Sequence, residues 1–84
     1  MSEIKEKLRT LVTEVGGLPP GFDSAANLYL DLGVPSMKAM QLLIELEERF
    51  GVSVPDEEFV DAVSLDALTA LIQRLTAGQD GSGN

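Results

Sequence analysis

The chain has 84 residues, of which 44% are hydrophobic, and it carries 14 acidic against 6 basic side chains, a formal net charge of −8. It contains no cysteine and no histidine, which excludes disulfides, thiolate metal sites and the commonest general base and metal ligand. A length of this order supports one small domain, which buries only about 60 % of its unfolded surface. The first nine residues carry three cations against two acids, whereas the rest carries three cations against twelve acids. Such a surface repels nucleic acid and anionic lipid and favours partners with basic docking patches; the plainer alternative is that acidity serves solubility. The opening residues are charged and no apolar run is long enough to span a bilayer, so we expect a cytoplasmic monomer that contacts no membrane.

In chain order, Ile4, Leu8, Leu11, Val12 and Val15 recur at helical spacing and predict a first helix over about residues 2–15. Gly16-Gly17 should end it. Residues 18–35 form a connection too long to be idle, with Phe22, Leu28, Leu30 and Leu32 as expected anchors and a helical turn near 27–32. A second helix should open at Pro35-Ser36, where proline suits the first helical position, and stop before Gly51. Val52-Ser53-Val54-Pro55 reads as an extended link, and Asp56 to Val60 as one or two helical turns. Ser64 is placed as the N-cap of a last helix with Asp66 in its first turn. Leu65, Leu68, Leu71, Ile72 and Leu75 form its apolar face and Gly78 its stop. The expected architecture is an all-α bundle of three main helices plus a short one, occupying residues 1–77, with a flexible tail over 78–84.

The second helix carries two apolar stripes. Ala39, Leu42, Leu43, Leu46 and Phe50 gather on the core side, while Met37, Met40 and Ile44 share a separate arc with Ser36, Glu47 and Glu48. The second stripe either packs under the short third helix or the long connection, or forms a docking surface. Methionines adapt to several partners and glutamates steer basic patches. Ser36 is likewise open to two readings. It can cap the helix through its oxygen, although Ala39 rules out a capping box. It can also serve as an attachment point, because a helix start favours the negative charge of a phosphodiester.

Asp31-Leu32-Gly33 leading to Ser36, the stretch from Leu42 to Gly51, and Val54-Pro55-Asp56-Glu57-Glu58 together resemble the acyl carrier protein family over roughly residues 3 to 77. The resemblance implies a small four-helix carrier bundle that is not an enzyme. It implies 4′-phosphopantetheine on Ser36, transferred from coenzyme A by a phosphopantetheinyl transferase, with cargo held as a thioester. Asp31, Met37, Met40, Ile44, Glu47 and Glu48 would then meet loading and acceptor enzymes. The family's usual Asp-Ser-Leu is here Pro35-Ser36-Met37, so no carboxylate directly precedes the serine, and Asp31 stands one turn earlier. Cargo is expected to be an acyl group, with an aminoacyl group attached by a synthetase-like ligase as the alternative and an unmodified docking module as a further one. Asp56, Glu57, Glu58 and Asp61 do not match a calcium-binding loop, which needs glycine where Asp61 stands, so no metal is expected. A hydrolytic role for Ser36 lacks a histidine partner, and Lys38 lies too far round the helix to replace it.

Overall fold

The computed structural model describes residues 3–82, so Ser2 and the last two positions of the expected tail lie outside the described residues. Four helices follow in order: α1 (Glu3–Gly16), α2 (Lys38–Phe50), α3 (Asp56–Asp61) and α4 (Leu65–Ser82). Among the described residues there is no strand. Helix α1 packs against both α2 and α4, and the short α3 lies on α4. This arrangement follows from the apolar faces. Leu8, Leu11, Val12 and Val15 of α1 are buried together with Leu42 and Leu46 of α2 and Leu65, Leu68 and Ile72 of α4. At about 0.8 kcal/mol per buried methylene, that shared face is the main term holding the bundle.

The connection 18–35 is folded against the bundle by specific contacts. Arg9 Nη1 donates to the carbonyls of Pro20 and Phe22, both at 2.8 Å, and its guanidinium lies 4.6 Å from the centre of the Phe22 ring. Leu28 N–H donates to Val63 O at 2.7 Å, tying the connection to the α3–α4 link. The helical turn near 27–32 is present: Asp31 N–H and Leu32 N–H both donate to Asn27 O. It also settles the anchors. Residues four apart share a face of a turn and residues two apart oppose each other, so Leu28 is buried and Leu32 packs on the core. Leu30, expected as an anchor, is instead 85% exposed.

Helix α2 begins later than expected. Lys38 N–H donates to Pro35 O at 2.9 Å and Ala39 N–H to Ser36 O at 3.0 Å. These tight three-residue bonds form a turn that precedes the α-helix, so Pro35 is not its first helical residue. At the other end Gly51, with φ 65°, takes the left-handed conformation and donates to Glu47 O, the usual way a glycine closes a helix. Gly78 does not act in this way: α4 runs through it to Ser82. A glycine inside a helix is only about 1 kcal/mol less favourable than alanine and does not by itself end it.

Ser64 caps α4 as expected, its Oγ accepting from Ala67 N–H at 3.1 Å. Asp66, in the first turn, draws three elements together. Its carboxylate pairs with Lys5 Nζ of α1 at 3.0 Å and accepts from Ser24 Oγ at 3.3 Å. The Lys5 hydrogen bond, above all, holds the Asp66 carboxyl below its ordinary value of 3.8. A carboxyl lowered in the folded state stabilises above its unfolded value and ceases to do so as pH falls through the folded one. Asp66→Asn is therefore expected to lower the denaturation midpoint at neutral pH and to match the parent protein at pH well below 3.8; an equal deficit at both would show that Asp66 acts through packing.

Candidate functional site

Ser36 stands in the turn that leads into α2, on an exposed stretch from Pro35 to Lys38. The capping reading does not describe it. The N-cap position is Met37, with helical φ −64° and ψ −22°, and no side-chain hydrogen bond caps the helix. Among the described residues the Ser36 hydroxyl has no hydrogen-bond partner, and the N–H groups of Ser36 and Met37 donate to nothing. Unsatisfied N–H groups at a helix start favour an anion. The approach is shaped upstream: Gly33, at φ 78°, turns the chain in a conformation that side-chain-bearing residues avoid. Val34 then enters the core, its N–H bonded to Leu28 O at 2.9 Å.

The second stripe of α2 is not covered by α3 or by the connection. Met37 is 80% exposed, Met40 65% and Ile44 49%. Met37 and Met40 edge a groove of about 480 Å³ that opens at Ser36 and is closed on the far side by Asp56, Phe59 and Val60 of α3. A smaller hollow of about 220 Å³ adjoins it, sharing Ser36, Ala39, Phe59 and Val60 and adding Tyr29 and Val63. Sequence reasoning missed Val60 and Tyr29. Val60 is 68% exposed, and an exposed apolar residue in so acidic a helix was the available signal.

The acidic residues divide. Glu48 is exposed. Asp31 is also exposed, but its Oδ2 accepts from Asn27 N–H at 3.0 Å and so stabilises the 27–32 turn. Glu47 is half-buried, and its Oε2 accepts from Val54 N–H at 2.9 Å, holding the α2–α3 link against the end of α2. Glu47→Ala should cost about 1–3 kcal/mol by stranding that N–H, and Glu47→Gln, which keeps the acceptor, much less. Glu48→Lys should change stability by no more than about 0.5 kcal/mol. Urea midpoints for the three variants check the ordering; equal values for Glu47→Ala and Glu48→Lys would remove the structural role of Glu47. Among the described residues no three acidic side chains gather as a metal site, and no helix is long and apolar enough to cross a membrane.

A family model described as "Phosphopantetheine attachment site" matches residues 6–72, an interval that contains all of this geometry. This chain belongs to the acyl carrier protein family. An acyl carrier protein of Rhodococcus erythropolis is 30% identical over 76 residues, covering 89% of this chain and 84% of that protein. One of Campylobacter hominis is 30% identical over 74 residues, covering 87% and 94%. As a member of the acyl carrier protein family the chain is a carrier and not a catalyst, and its cofactor is covalent 4′-phosphopantetheine. Family membership also implies contact with a phosphopantetheinyl transferase and with partner enzymes. The exposed, unbonded hydroxyl of Ser36 at a helix start suits a phosphodiester-linked arm.

Proposed function

We propose that Ser36 is the attachment residue, that the cargo is an acyl group, and that Met37, Met40, Ile44 and Glu48, with Asp31 and Glu47 at the margins, meet the enzymes that load and unload it. The observation that carries this reading is the Ser36 hydroxyl: accessible, free of any capping task, and at the mouth of an apolar groove. When bound, the arm supplies the thiol that a chain without cysteine lacks. The chain's own part is to present the hydroxyl and to orient what it bears. It has no histidine and the hydroxyl has no basic neighbour bonded to it, so the base that activates Ser36 must come from the transferase.

The groove favours an acyl cargo over an aminoacyl one. Met37, Met40, Leu43, Phe59 and Val60 make most of the lining apolar, with Asp56 its one charged side chain, which suits the hydrocarbon of an acyl chain. The aminoacyl reading draws instead on Pro35-Ser36-Met37, a departure that points away from ordinary carriers. Exposed Met37, Met40 and Ile44 beside carboxylates suit partners that combine an apolar contact with a basic rim. The deciding experiment is an intact mass spectrum after incubation with coenzyme A and a broad-specificity phosphopantetheinyl transferase. A gain equal to one phosphopantetheine is expected; no gain with several transferases would leave an unmodified docking module as the better reading. We further propose a cytoplasmic location, with which a chain free of cysteine is compatible.

A further inference from the structure

The smaller hollow beside Ser36 is apolar except at one side chain. Of its lining residues Tyr29, Ser36, Ala39, Phe59, Val60 and Val63, Tyr29 alone offers a polar side chain other than the attachment serine. Its position is fixed from behind. Tyr29 N–H donates to Asn27 Oδ1 at 2.9 Å, and the residue packs against the core. Burial pushes its phenol above the ordinary tyrosine value of 10.0. Among the described residues its hydroxyl has no hydrogen-bond partner and is not a buried, unsatisfied atom, so it is free to exchange water for an acceptor in the hollow.

We propose that Tyr29 is a positioning residue for whatever Ser36 carries, its hydroxyl donating a hydrogen bond to a carbonyl oxygen of that group inside the hollow. The inference rests on Ser36 being the attachment residue. A neutral phenol is a good donor at neutral pH, so the hollow selects an acceptor. A bare hydrocarbon would pack on Phe59, Val60 and Val63 but offer the hydroxyl nothing in place of water. An ammonium could donate to the phenol oxygen but would lose most of its hydration against the apolar wall. An amide, thioester or ketone carbonyl satisfies both the wall and the hydroxyl. Such a carbonyl is available in the arm, which contains amides, and in an acyl cargo.

The test uses the full chain, in which Tyr29 is the single tyrosine and there is no tryptophan, so phenolate absorbance reports this one ring. Apo, holo and acetyl-loaded protein are prepared, with carbon-13 at the arm amides or at the acetyl carbonyl, and each form is verified by intact mass. In the form that supplies the carbonyl, Tyr29 should ionise at higher pH than in apo protein, because ionisation removes the donor. Tyr29→Phe should shift that labelled carbonyl's resonance and lower occupancy of the hollow by about 2- to 10-fold. Val63→Ala, which alters the wall and keeps the hydroxyl, should leave the carbonyl bonded. A response already present in holo protein assigns the arm as the source; a response only after acetylation assigns the cargo. Identical Tyr29 titrations in all three forms, or a carbonyl indifferent to Tyr29→Phe, overturn the proposal while the mass gain keeps the carrier reading. No mass gain removes the attachment at Ser36 instead, and this inference with it.

Discussion

Ser36→Ala is expected to abolish loading completely while leaving the fold in place. The two halves of that expectation have separate causes. With the arm on Ser36, as proposed, loading needs an oxygen at this position, and alanine has none. Stability does not need it, because Met37 occupies the N-cap position and no side-chain bond caps α2. A serine that capped the helix would cost about 1 kcal/mol to replace by alanine, whereas an exposed, unbonded one should cost no more than about 0.5 kcal/mol. Intact mass after transferase treatment, with a thermal melt of the same sample, checks both. A variant that still gains the arm would move the attachment elsewhere. A melting temperature lowered by roughly 5 °C, the equivalent of about 1 kcal/mol in a domain this size, would restore the capping role.

The second large effect is on the core of α2. Leu46 is completely buried, on the face that α2 presents to the rest of the core. Leu46→Ala should cost about 2–5 kcal/mol, from lost transfer energy plus the cavity left behind. A chain of this length has only about 4–12 kcal/mol to lose, so the variant should be partly unfolded well below the melting temperature of the parent protein. Leu30→Ala is the matched control, since the same chemical deletion is made at a side chain that is 85% exposed; its stability should stay within about 0.5 kcal/mol of the parent. Similar melting temperatures for the two variants would mean that the α2 core contact contributes little.

Much of the bundle was legible because helical periodicity records which face is buried. Leu8, Leu11, Val12 and Val15 in α1, and Leu65, Leu68, Leu71 and Ile72 in α4, are buried as their spacing requires. Gly51 was legible as a stop and Ser64 as a cap for the same local reason. What escaped was decided at a distance or by conformation. Gly78 has the same composition signal as Gly51 but remains helical. Leu30 was placed among the anchors with Leu28 and Leu32, although the expected 27–32 turn, held by Asn27, sets it opposite them. The bond from Val54 N–H to Glu47 joins residues seven apart, so no periodicity reveals it. At the site, the second stripe marked Met37, Met40 and Ile44 as unusual but left packing and docking both open, and their exposure is seen only in the fold. The hollow around Tyr29 had no such signal, because it exists only where the connection, α2 and α3 converge.

Helix α3 has six residues, far below the length at which a helix persists by itself. Its hold on the rest is correspondingly short: Phe59 in the core, the pairing of Glu58 with Arg74 on α4, and the Glu47 bond just before it. The amides of α3 should therefore exchange with solvent sooner than those of α1, α2 or α4, through openings that leave the other three helices folded. Phe59 and Val60 ride on that segment. One wall of the groove should thus yield more readily than the serine-bearing side, so the space beside Ser36 should widen toward α3 before it widens elsewhere.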